Sequence, residues 1–189
     1  MQNMVVIPMT NEQQIQQLLV AGDQQDKLFQ LILDTYQERL YWHIRKMVGT
    51  HEDANDVFQN CMIKAYKGIA KFKGDSSLLT WLYRIASNES ITFLNKRNKR
   101  STLSIDDEEL GISNTVQAAS YTDNSLAEVY LKEALETLPV KQKEVFIMRY
   151  YDELTYQAIE EILGTSVGGL KASYHHAVKK IEAYIRKQF

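Results

Sequence analysis

Residues 77–100 gather side chains that can hold unpaired nucleic acid: Trp81, Tyr83, Arg84, Asn88, Phe93, Asn95, Lys96 and Arg97. Aromatic rings stack on splayed bases, amides hydrogen-bond to base edges, and Lys or Arg holds the phosphate backbone. Arg84 and Asn88 stand one helical turn apart and Tyr83 and Asn88 a little more, so some of the three can share an exposed face. Against this stands an aromatic stripe that is only core, which suits part of Trp81 and Phe93 best.

A second constellation lies in LTYQAIEEILGTSVGGLKASYHHAVKKI (154–181), which has helix, tight turn, helix spacing. Thr155 and Ser166 are expected to cap the two helices, and Gly164 to end the first abruptly. Leu170, Tyr174, Ala177 and Ile181 form an apolar stripe. The other side shows Lys171, Ser173, His175 and His176, with Lys179 and Lys180 further on. Such a helix fits a DNA major groove, with its N-terminus and basic groups toward phosphate. An ordinary helical hairpin has the same shape, so this motif alone does not decide.

Other chemistry is poorly served. The four histidines are His43, His51, His175 and His176, and the one cysteine is Cys61. They form no HExxH, P-loop or His/Cys ligand set, so no enzyme, metal or cofactor is expected. Cys61 falls on the apolar side of its helix and reads as a small buried hydrophobe.

Charge distribution says more than total charge. The chain has 189 residues, one or two domains' worth, with 22 Lys and Arg against 24 Asp and Glu, a net charge of -2. That excludes a uniformly basic binder. By segment, residues 1–60 carry 4 basic and 8 acidic groups, 61–100 carry 9 and 2, 101–138 carry 1 and 8, and 139–189 carry 8 and 6. A +7 block therefore stands between acidic neighbours.

These groups must be positioned by helices. Two prolines and eight glycines leave little room for a turn-rich β fold. Three-and-four apolar spacing predicts helices over about 11–19, 24–48, 52–68 and 77–95. A stretch without sustained period follows, with acids at Asp106–Glu109. Helices are then expected over 125–138, 140–150, 155–163 and 167–187. The fold class is all-α: two small helical domains joined by a linker, at 1–98, 99–124 and 125–189. No apolar run reaches the ~20 residues of a membrane span, and no secretory leader is evident, so the cytoplasm is expected.

Taken together, the chain resembles the bacterial RNA polymerase sigma-70 family in its extracytoplasmic function (ECF) group. The resemblance covers about residues 24–97 and 126–183. THEDANDVFQNCMIKAYKGIAKFKGDSSLLTWLYRIASN (50–88) is similar to region 2, and LETLPVKQKEVFIMRYYDELTYQAIEEILGTSVGGLKASYHHAVKKI (135–181) to region 4. The short stretch between them, without a larger middle domain, resembles the ECF group.

The resemblance implies a non-catalytic factor that directs core RNA polymerase to promoters and helps open the -10 element. By that resemblance Asp53, Asp56 and Gln59 bind the polymerase clamp coiled coil. Lys73, Gly74, Asp75, Ser76 and Ser77, with Asn88 near them, surround a flipped -10 base. Trp81, Tyr83, Arg84, Lys96 and Arg97 lie along the melted strand. Ser166, Gly168, Gly169, Lys171, Ser173, His175, His176 and Lys179 meet the duplex -35 element, and residues 140–150 help to bind the polymerase flap. An anti-sigma factor, commonly membrane-anchored in that family, is a further implied partner. Glu160 stands where the family usually has a small Ala, and Ser173 and His176 where Arg is frequent, which implies weaker -35 contact. The rival reading is a stand-alone helix-turn-helix regulator that binds duplex DNA without polymerase.

Overall fold

The computed structural model describes residues 10–22, 24–105 and 126–188; for 101–105 only the backbone is described. The expected acidic linker at Asp106–Glu109 lies outside them. Eight α-helices order the described chain: α1 (Asn11–Ala21), α2 (Gln25–Val48), α3 (His51–Ile69), α4 (Leu78–Ile105), α5 (Leu126–Glu136), α6 (Val140–Phe146), α7 (Tyr156–Leu163) and α8 (Val167–Ile185). One π-helical turn, Ile147–Tyr151, continues α6.

The helix ends follow local chemistry. Thr10 and Gln13 form a reciprocal capping box on α1. Thr50, Thr155 and Ser166 each accept a backbone N–H in the first turn of α3, α7 and α8. Gly164 ends α7 in the left-handed region at φ 65°, as its position in the sequence suggests. Two elements differ from expectation. Helix α4 runs on to Ile105, so residues 99–105 extend a helix instead of beginning the linker. Residues 147–151 widen into a π turn, which shifts the side chains that follow and leads Asp152 into the interior.

Helices α2, α3 and α4 pack together, with α1 against α2. Leu40, Ile44, Met47, Ala54, Cys61, Leu82 and Ala86 are fully buried among them. Helices α5, α6 and α8 enclose Ala134, Leu135, Leu138, Phe146, Ala177 and Ile181, where Phe146 stacks on Tyr174 at 5.7 Å. The two regions are not separate bodies. Val145, Ile147, Met148, Ile159, Ile162 and Leu170 join the same apolar cluster as Leu82 and Ala86 of the first region, and α7 lies on α4.

Candidate nucleic-acid interface

The loop before α4 is built as the sequence suggests. Gly74 takes φ 79°, and Ser77 caps α4 by accepting from the Thr80 N–H at 3.0 Å. Lys73, Gly74, Asp75 and Ser77 are exposed, with Ser76 half-buried. Trp81 is half-buried and leans on Phe72, ring centroids 5.4 Å apart. A Cβ on Gly68 would meet the Trp81 ring at 2.9 Å, so glycine there makes room for the indole. Asn88, Lys96 and Arg97 are exposed.

Tyr83 does not share that exposed face. It is fully buried, its hydroxyl accepts from Arg39 Nε at 3.0 Å, and its ring meets His43 edge-on at 5.1 Å. Burial pushes its phenol well above the ordinary value, Asp152 adds to that, and Arg39 opposes it. Periodicity finds the face but not what covers it. Arg84, half-buried, donates twice to the Glu161 main-chain carbonyl, from Nε at 2.8 Å and again from its terminal nitrogen.

On α3, Asp56 and Gln59 are exposed and Asp53 is half-buried. Arg97 reaches back from α4 to the Val48 carbonyl at 3.0 Å and to Asp53 at 3.3 Å. Thus a residue expected at polymerase and one expected at DNA neutralise each other here. Cys61 is fully buried, and burial pushes its thiol up to about 12, in keeping with a packing role.

In the helix-turn-helix, Ser166, Gly168, Lys171, His175, His176 and Lys179 are exposed, while Gly169 and Ser173 are half-buried. Nothing lies within 4 Å of a Cβ placed on Gly168, so its backbone is open to close approach. Glu160, unexpected at its position, makes a contact that Ala could not. Its carboxylate accepts from the Val167 N–H at 3.1 Å and ties α7 to the start of α8. The sequence pattern did not single out Arg149, which sits with Lys171 against the Tyr156 ring, at 5.4 and 5.8 Å from its centroid. An Arg ending an apolar run just before the motif was the available signal.

Nor did it single out a set of polar contacts between the two regions. His43 Nδ1 donates to Asp152 Oδ2 at 2.6 Å, with both side chains almost wholly buried. Arg39 donates to the Asp152 main-chain carbonyl at 2.8 Å. The Ser87 hydroxyl donates to Glu144, itself buried. Burial holds the Glu144 carboxyl above its ordinary range, while Ser87, His43 and Lys141 work against that shift. No signal in the pattern marked them, since Glu144 directly follows Lys141, Gln142 and Lys143 and Asp152 stands beside Glu153. Among the described residues no cluster of three or more His, Cys, Asp or Glu is arranged to hold a metal ion, and no helix is long and apolar enough to cross a membrane.

Comparison with known proteins decides the family. The Sigma-70 region 2 model matches residues 32–100 and the Sigma-70, region 4 model residues 128–181. The ECF RNA polymerase sigma-E factor of Haemophilus influenzae is 30% identical over 93% of this chain and 97% of its own length. The chain belongs to the sigma-70 family, as an ECF-type sigma factor. RNA polymerase sigma factor YlaC of Bacillus subtilis is 32% identical to this ECF sigma factor, over 86% of this chain and 94% of the relative. Two solved structures share the fold. The sigma factor RpoE of Bartonella quintana, in complex with the anti-sigma factor NepR, gives a TM-score of 0.66 at 24% identity, covering 84% of this chain and 96% of that one. CnrH, in complex with the cytosolic domain of CnrY, gives 0.68 at 17%, covering 95% and 100%. The all-α class and the helix-turn-helix read from the sequence stand, and the ECF sigma factor is not an enzyme.

Proposed function

We propose that this ECF sigma factor directs core RNA polymerase to promoters through a division of labour between its two regions. The domains follow the sequence pattern, 1–98 and 125–189, with α4 carried further than the first boundary. Asp56 and Gln59, with Asp53 once Arg97 releases it, dock on the polymerase clamp. The 73–77 loop, Trp81, Arg84, Asn88, Lys96 and Arg97 take the melted -10 strand, with Tyr83 supporting them from the interior. The exposed face of α8, from Ser166 and Gly168 through Lys171, His175, His176 and Lys179, reads the -35 duplex, with Gly169 and Ser173 at its edge. Residues 140–150 contribute to the flap contact.

The observation that carries this reading is the pairing of region 2 and region 4 matches, in order, with a capped and exposed recognition helix. The partners are core polymerase, promoter DNA and an anti-sigma factor. The site of action is the cytoplasm, with a membrane-anchored anti-sigma factor able to hold the protein at the membrane. The test is transcription in vitro with core polymerase on a promoter library. Polymerase-dependent starts sharing one -35/-10 pair are expected; sequence-specific duplex binding with no polymerase-dependent starts would instead make the chain a stand-alone regulator.

A further inference from the structure

We propose that the cavity between α2, α5 and the Ile147–Tyr151 turn binds a small planar aromatic anion, a carboxylate or a phosphate monoester. Its ring packs against Trp42 and Tyr150, and Arg45 and Lys46 hold its charge. The inference does not depend on the sigma-factor reading of α4 and α8. The sequence builds this cavity from one face of each helix. Trp42, Arg45, Lys46 and Gly49 stand at three- and four-residue intervals on α2, as do Leu131, Lys132 and Leu135 on α5. Tyr150 and Tyr151 line it from the turn. Its volume is about 460 Å³, within the ~300–1,000 Å³ of small-molecule sites.

The walls supply both halves of the recognition. Trp42 is 50% and Tyr150 53% exposed, although each is a large ring beside a packed core. Tyr150 is set in place by stacking on Phe146, ring centroids 5.1 Å apart. The Lys46 ammonium lies against the Trp42 and Tyr151 rings, 5.6 and 4.8 Å from their centroids. Burial holds that amine below the ordinary lysine value, and Asp152 opposes the shift. Arg45 is half-buried, and its guanidinium has no hydrogen bond or ion pair among the described residues. The carboxylates nearby are engaged elsewhere. Glu136 pairs with Lys143 at 2.8 Å and Asp152 with His43 at 2.6 Å, while Glu128 stands one turn from Lys132 on α5. Two cations on α2 are therefore left in excess. Their place in the last turn of α2 offsets the helix dipole. That accounts for two basic residues there, but not for the exposed rings beside them. A bound anion relieves the burial of Lys46 and gives the Arg45 fork a planar partner, and an aromatic ring covers the exposed ring surface.

The test uses the full chain, labelled with nitrogen-15, and reads the indole N–H signals of its two tryptophans by NMR. Trp42 reports on the cavity and Trp81, on α4, is the control; Trp42→Phe assigns the signals. The probes are 2-naphthoate, the neutral 2-naphthamide and adenosine monophosphate. A saturable shift of the Trp42 signal alone is expected with one anion or both, and the tighter of the two tells a carboxylate ligand from a phosphate one. Naphthoate is expected to bind about tenfold more tightly than naphthamide, since hydrogen bonds to a charged group contribute more. Arg45→Gln should remove most of that difference and leave naphthamide binding unchanged, which a merely structural change would not do. Should Arg45→Gln lose helicity, Lys46→Met, which keeps its stem against the rings, takes its place. No saturable shift with either anion overturns the proposal. So does equal binding of naphthoate and naphthamide, which would mark an apolar groove, and so do equal shifts at Trp81 and Trp42, which would mark nonspecific binding.

Discussion

Gly68 shows how one residue serves the candidate site from behind. Its missing Cβ leaves the space into which the Trp81 ring packs, at 2.9 Å from where a methyl would sit. Gly68→Ala is expected to push the indole out of place and to cost about 1–3 kcal/mol, read by urea unfolding. A cost near zero, with Trp81 fluorescence unchanged, would show that the ring has room. Glu160 gives a second case at this scale. Glu160→Ala leaves the Val167 N–H without its acceptor, and about 1 kcal/mol of stability should be lost in the same measurement. Legibility at the residue scale was uneven for a physical reason. Cys61 was read correctly because its surroundings are its own helix face and that face's immediate neighbours. The burial of Tyr83 was not legible because what covers it includes groups far along the chain, Arg39 of α2 and the charge of Asp152. Spacing along one helix carries no information about such partners.

At the scale of elements, the helices were legible nearly everywhere, since apolar periodicity, Thr and Ser caps and Gly stops act locally. The two departures arose where local signals fall silent. Residues 95–105 have no apolar stripe, so nothing in the pattern says that α4 continues. A π turn of five residues is too short to show a period of its own in the sequence, so Ile147–Tyr151 reads as plain helix. The recognition helix supplies the prediction that belongs here. Lys171 and Lys179 are exposed on α8, with Lys171 and Arg149 flanking the Tyr156 ring. If both lysines meet phosphate, replacing each by Ala should flatten the salt dependence of holoenzyme binding to duplex -35 DNA by about 0.9 in the log–log slope. An unchanged slope with weakened binding would place them off the phosphates. Ser173 and His176, where family members often carry Arg, leave this helix with few cations, so each remaining one should weigh visibly.

The whole molecule is where sequence reading reached least, because the joint between its two regions is made of contacts between distant residues. Its pH dependence follows from Glu144. With the two regions packed together, burial raises the Glu144 carboxyl above its ordinary value of 4.5. Ser87 on α4, His43 on α2 and Lys141 on its own helix face it and limit the rise. Were the two regions to part, the group would meet water and return toward the ordinary value. Closing therefore takes up a proton in the interval between the two. Glu144 favours closure fully below the open-state value, and that contribution is lost as pH rises through the closed-state value. The radius of gyration of the free chain is thus expected to grow from mildly acidic toward neutral pH, with helicity constant. Glu144→Gln, which keeps an acceptor for Ser87 but cannot ionise, should flatten that curve and shift the chain toward closure at neutral pH. A wild-type radius that shrinks with rising pH, or a slope that survives in Glu144→Gln, would mean that another group governs the joint.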